Sequence, residues 1–146
     1  MKIFFACIVF FLSFQLNAQT WNLPNNYMPI GINAGGGGSG RVFGGEISFI
    51  HTGDDFAYGF FFDVLKNKKG SRIFAGPELL FPGYNSKFLF GLEAGGVTNT
   101  KTNKAGFMLG LFIPYYVIPY FRYFRLSGNN TAEAGLLIKF PIPLCN

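Results

Sequence analysis

His51 is the sole histidine of the 146-residue chain, and Ser48 and Asp54 lie close to it in sequence. A hydroxyl, a base and an acid are the residue types that nucleophilic attack on a lipid ester would use. The three flank a turn, and nothing in their spacing brings a nucleophile within reach of a base. No catalytic site is therefore expected. One histidine and two cysteines are too few for a metal site, and Cys145 is the only cysteine outside the leader that contains Cys7, so no intrachain disulfide is expected. The run Gly35-Gly36-Gly37-Gly38-Ser39-Gly40 has the glycines of a phosphate-binding loop. It lacks the Lys-Ser/Thr pair and the helix that such a loop needs, and it reads as a strand end with a hairpin. No cofactor is expected.

The charged residues carry more information. Of the seven acids, Asp54 and Asp55 sit in a turn, whereas Glu46, Asp63, Glu78, Glu93 and Glu133 lie inside apolar stretches. In three of those stretches a second charge shares the acid's parity, Arg72 with Glu78, Lys87 with Glu93, and Glu133 with Lys139. Each pair has an even separation, which puts both charges on one face of an unbulged strand. An ion-pair network is expected in which Glu46, Asp63, Glu78, Glu93 and Glu133 meet Arg72, Arg122 and Lys139.

The elements that would position these charges are short strands. The chain has 20 Phe, 7 Tyr and 20 Gly with few charges. That combination excludes a disordered chain and disfavours a helical domain. Eight apolar segments are read at 29–36, 41–50, 56–65, 72–81, 87–97, 104–113, 115–126 and 131–140, separated by turn-forming breaks. Their length suits a tilted transmembrane β-strand, and no segment of about 20 apolar residues follows the leader to supply a spanning helix. Alternation is clear. Phe56, Tyr58, Phe60, Phe62 and Val64 oppose Ala57, Gly59, Phe61 and Asp63, and Phe107, Leu109, Leu111 and Ile113 oppose Gly106, Met108 and Gly110. One face is large and apolar, and the other is glycine with single charges. Water would call for Lys, Thr, Ser and Glu on the second face. A glycine-and-charge face suits the confined interior of a narrow barrel whose apolar face meets lipid. The fold expected is an all-β, antiparallel, up-and-down transmembrane barrel of about eight strands. Pro77 and Pro119 fall within strands, where each removes a ladder hydrogen bond. Pro77 is expected to need a bulge, and Pro119 to sit near a strand start.

Residues 1–19 have the form of a secretory signal peptide: Lys2, an apolar stretch from Ile3 to Phe14, and a small residue at Ala18 before Gln19. The barrel domain is assigned to 20–146. From residue 29 to 140 the chain resembles the small eight-stranded outer-membrane proteins of Gram-negative bacteria. The most specific match is the last strand, Glu133-Ala134-Gly135-Leu136-Leu137-Ile138-Lys139-Phe140. In that class a polar-x-Gly-x-x-apolar-x-aromatic strand is the signal read by the barrel-assembly machinery, which would assign Glu133, Gly135, Ile138 and Phe140 to it. The class usually ends at the aromatic residue, whereas this chain continues through 141–146. The resemblance implies an outer-membrane location after export, outer-membrane lipid and the assembly machinery as partners, and a monomer. With both termini in the periplasm, the breaks near 37–40, 66–71, 98–103 and 127–130 would face outside. The turns near 52–55, 82–86 and 114 would face the periplasm.

The net charge is +5, with clusters at Lys66, Lys68 and Lys69 and at Lys101 and Lys104. They read as solvated loops, with anionic lipid headgroups as the functional alternative. Tyr115, Tyr116, Tyr120 and Tyr123 fit an interfacial girdle better than a stacking platform, so no nucleic-acid partner is expected. The function expected is a structural or interaction barrel with a side-chain-filled interior and no enzymatic activity. A soluble periplasmic or secreted barrel binding an apolar ligand is one alternative, and an outer-membrane lipid-modifying enzyme is another.

Overall fold

The structure, a computed structural model, describes residues 26–53, 56–82, 88–114 and 117–144. The leader at 1–19, Cys7, Asp54, Asp55, Lys87, Tyr115, Tyr116 and Cys145 lie outside the described residues. Eight strands form the fold: β1 (Asn26–Gly37), β2 (Gly40–Thr52), β3 (Ala57–Asn67), β4 (Gly70–Pro82), β5 (Phe88–Asn99), β6 (Lys104–Phe112), β7 (Val117–Leu126) and β8 (Asn129–Pro143). Every neighbour is antiparallel, and β8 returns to β1 from Gly37↔Glu133 to Tyr27↔Pro143, closing the barrel. Closure leaves no unpaired sheet edge.

Most strands run past the expected limits because the turns between them are tight. The pairs Gly37↔Gly40, Asn67↔Gly70 and Leu126↔Asn129 each leave two residues to reverse the chain. In the last hairpin Ser127 and Gly128 take φ of 47° and 88°. Two positive-φ residues match the right-handed twist of the flanking strands. The edges of these three apparent polar breaks are therefore ladder. The last strand likewise continues beyond Phe140 to Pro143. The seventh is described from Val117 onward, and its expected start at 115 lies outside the described residues.

Pro77 sits in β4 without the expected bulge. The register with β5 is the same on either side of it, Ala75↔Gly96 and Glu78↔Glu93, and Pro77 itself stands opposite Phe60 of β3. In an antiparallel ladder a residue directs its N–H and C=O to the same neighbour, so the proline forfeits one bond without displacing the chain. The irregularity falls instead at Phe81/Pro82. Pro119 is the third residue of β7 and lies past the last β6–β7 pair, Phe112↔Tyr120. Its carbonyl accepts from Ile113 N at 3.1 Å, just past the end of β6.

The faces sort as the alternation requires. Large apolar side chains line the outside: Phe43 and Phe140 are each 62% exposed and Leu109 55%, while Asp63 and Arg122 are 0%. Inside, the packing is layered. Tyr27, Ile50, Leu80, Phe112, Ile118 and Leu137 fill the end where β1 begins and β8 finishes. Val42, Phe61, Leu65, Phe74, Met108 and Phe124 belong to the cluster towards the hairpin end. Polar residues occupy the level between.

The buried charge network as candidate functional site

Arg122 is the centre of the interior. It stands on β7 with its side chain fully buried, among Glu46 of β2, Asp63 of β3 and Glu93 of β5. Nη2 donates to Glu46 Oε2 at 2.8 Å and to Glu93 Oε1 at 3.2 Å, Nε donates to Glu93 Oε2 at 2.9 Å, and Nη1 donates to Asp63 Oδ2. The planar fork of arginine presents donors in several directions at once, which lets one cation serve three carboxylates. Its face also packs over aromatic rings, with Cζ 4.9 Å from the Tyr120 centroid and 5.4 Å from that of Phe74.

Two further cations flank this centre. Arg72 of β4 donates from Nη2 to Glu133 Oε2 at 2.5 Å and lies 4.8 Å over the Phe124 ring. Lys139 of β8 pairs with Glu46 Oε1, donates to Ser48 Oγ at 3.1 Å and lies 3.6 Å from Glu78 Oε2. The eight charges expected to face inward are thus brought to one interior, and each of the three cations meets at least one carboxylate. Five carboxyls against three cations leave a formal excess of two negative charges.

Neutral polar groups that the charge pattern does not reveal complete the network. Asn33 Nδ2 donates to Asp63 Oδ2 at 2.9 Å, and Ser48 Oγ donates to Glu46 Oε1 at 3.3 Å. Strand parity is the signal that finds them, since Asn33 shares its face with Gly31 and Gly35, and Ser48 with Glu46. Glycine makes the room. A Cβ on Gly110 would stand 2.7 Å from Glu93 Oε2 and 3.3 Å from Arg122 Cγ.

The arrangement gathers five carboxyls and three cations into one buried network. One carboxylate oxygen from each of Glu46, Glu78 and Glu93 comes within 4.8 Å of the others, a spacing that could hold a cation. The ammonium of Lys139 already contacts Glu46 and Glu78 there. Ser48 and His51 are not brought together. Their odd separation puts Ser48 in the interior, while His51 Nδ1 meets Asn26 Oδ1 at 2.8 Å and its ring packs 5.1 Å from that of Tyr58. Of the four residues assigned to the assembly signal, Glu133 is buried against Arg72, Gly135 is half-buried, and Ile138 and Phe140 stand exposed on the outer wall. Comparison with family models, curated proteins and solved structures returns no match for this chain.

Proposed function

We propose that the chain is a small outer-membrane barrel with a sealed lumen and a structural or interaction role, exported by the leader at 1–19. One observation carries this reading: the barrel is inside-out relative to a soluble protein. Among the described residues, 21 large hydrophobic side chains are exposed, against 15 buried hydrophobic residues, and all five described acids are buried. Water would penalise such a surface, because soluble monomers rarely expose apolar patches beyond a few hundred Å². A lipid environment rewards it, and it explains why every charge on the middle of the strands points inward. A soluble barrel with an apolar ligand inside would need the opposite facing. A lipid-modifying site built on Ser48 and His51 would need both on one side of the wall.

The filled lumen argues against conduction, since aromatic and aliphatic layers close it above and below the charges. The exposed Ile138 and Phe140 on the closing strand suit recognition by the barrel-assembly machinery. β1 begins and β8 ends at one end of the barrel, and the β1–β2, β3–β4, β5–β6 and β7–β8 hairpins lie at the other, which suits periplasmic termini and an outward-facing hairpin end. Fractionation of a Gram-negative host expressing the full chain tests the reading. The protein is expected in the outer-membrane fraction, released by detergent but not by salt or alkali. Recovery as a soluble periplasmic protein without detergent would overturn it.

A further inference from the structure

The hairpin end is cationic throughout. The β1–β2 and β3–β4 hairpins place Arg41, Lys66, Lys68 and Lys69 there, and the β5–β6 and β7–β8 hairpins add Lys101, Lys104 and Arg125. All seven are exposed, and among the described residues none of them forms an ion pair. Among the described residues no exposed acid accompanies them, and Glu133 is buried against Arg72. Seven like charges on one rim repel one another, so the arrangement asks for a counter-charge from outside the chain.

One part of the rim is shaped to receive it. A shallow, open groove there is lined by Ala34, Phe43, Arg41, Lys66 and Lys68. Its apolar floor is the outward pair Ala34↔Phe43, and Lys66, paired with Phe43 on the other side, edges that floor with a cation. Arg41 stands at the next outward position towards the rim, opposite Gly36, which has no side chain to obstruct it. The two hairpins are tied together by Asn67 Nδ2 donating to the Ser39 carbonyl at 3.2 Å. Apolar floor below and cations above is the sequence of environments that a membrane lipid presents between its acyl chain and its headgroup.

We infer that this groove binds a phosphate-bearing membrane lipid, with the headgroup among Arg41, Lys66 and Lys68 and an acyl chain against Phe43 and Ala34. The inference rests on the proposed membrane location. Charge complementarity favours an anionic headgroup, and the apolar floor favours a lipid over a free anion. Each Lys or Arg near an anionic bilayer surface contributes about 1 kcal/mol, or about fivefold in association.

The test uses the full mature chain folded in phosphatidylcholine bilayers containing a trace of spin-labelled phosphatidic acid or spin-labelled phosphatidylcholine. Electron spin resonance then reads the fraction of label immobilised on the protein. The labelled phosphatidic acid is expected to be preferred at least fivefold. The variant Arg41→Gln/Lys66→Gln/Lys68→Gln is expected to bring the two labels to parity, while Lys101→Gln/Lys104→Gln keeps most of the preference. Equal losses in the two variants would mean diffuse attraction and would overturn the site. Displacement of the label by inorganic phosphate would identify a free anion as the occupant and overturn the lipid assignment. A heat-dependent gel shift shows that each variant is folded. Wild-type protein that folds but does not enter the bilayer would overturn the membrane reading itself, whereas entry without lipid preference would overturn the groove alone.

Discussion

Arg122 on β7 and Glu93 on β5 meet through two hydrogen bonds, of 2.9 and 3.2 Å, although a whole strand separates them. That strand, β6, passes between them at Gly110, which pairs with Glu93 on one side and with Arg122 on the other. The two long side chains join above a residue with none. The interior thus depends on a glycine at the same level as its central ion pair.

Replacing Gly110 with valine is expected to destabilise the barrel by about 1–3 kcal/mol, the usual cost of overpacking. The new side chain would displace Glu93 from Arg122. Gly96 gives the contrast: it lies on the exposed face, and a Cβ there would meet nothing nearer than 4.0 Å. Gly96→Ala is expected to be neutral or slightly stabilising. Urea unfolding in bilayers or detergent, followed by the heat-dependent gel shift, measures both.

Removing the central cation should cost more. Arg122→Met strands Glu46, Asp63 and Glu93 without their shared partner, and breaking a buried ion pair costs about 3–5 kcal/mol. Adding Asp63→Asn to that variant should restore part of the loss, because one stranded charge is then gone. An additive result in the double-mutant cycle would contradict the coupling shown by the geometry.

The excess of carboxyls predicts an opposite response at Glu78. Its nearest cation in the network is Lys139 at 3.6 Å. Glu78→Gln keeps the shape and removes one negative charge from an interior with too many. No loss greater than about 1 kcal/mol is expected, whereas Glu46→Gln, which loses partners in both Arg122 and Lys139, should be clearly destabilising. Equal losses for the two in the same unfolding assay would contradict this charge balance.

Much of this network is legible in the sequence because charge and strand periodicity act together. A two-residue repeat assigns each side chain to a face, and a charge among phenylalanines can be placed only inward. Asn33 and Ser48 escape the same reasoning: a neutral group costs less to misplace and does not stand out among glycines. The layering is not legible either. It depends on the stagger between strands, which brings Phe61, Phe74 and Phe124 to one level although they are far apart in the chain. Pro77 shows the reverse error. Sequence rules treat a strand proline as a break, yet here the ladder loses one bond and keeps its register. The cationic rim emerges only when four hairpins are stacked at the same end.

The outer wall carries its own prediction. Leu109 faces out at the level of the charge network, beside Gly110. Leu109→Arg is expected to cost about 2–4 kcal/mol of folding free energy in a bilayer, the penalty for a cation at mid-depth. The same exchange in water would cost little. Comparing bilayer stability of this variant with Thr102→Arg in the exposed hairpin, where about 0–1 kcal/mol is expected, separates a lipid-facing wall from a solvated one.

The most direct test of the central claim is whether lipid chains touch that wall. A single tryptophan at Leu109→Trp, in a Trp21→Phe background, can be read by fluorescence in bilayers whose acyl chains carry bromine. Strong quenching relative to unbrominated lipid is the predicted result. Emission unchanged by bromine, from protein shown to be folded, would contradict a membrane-spanning barrel.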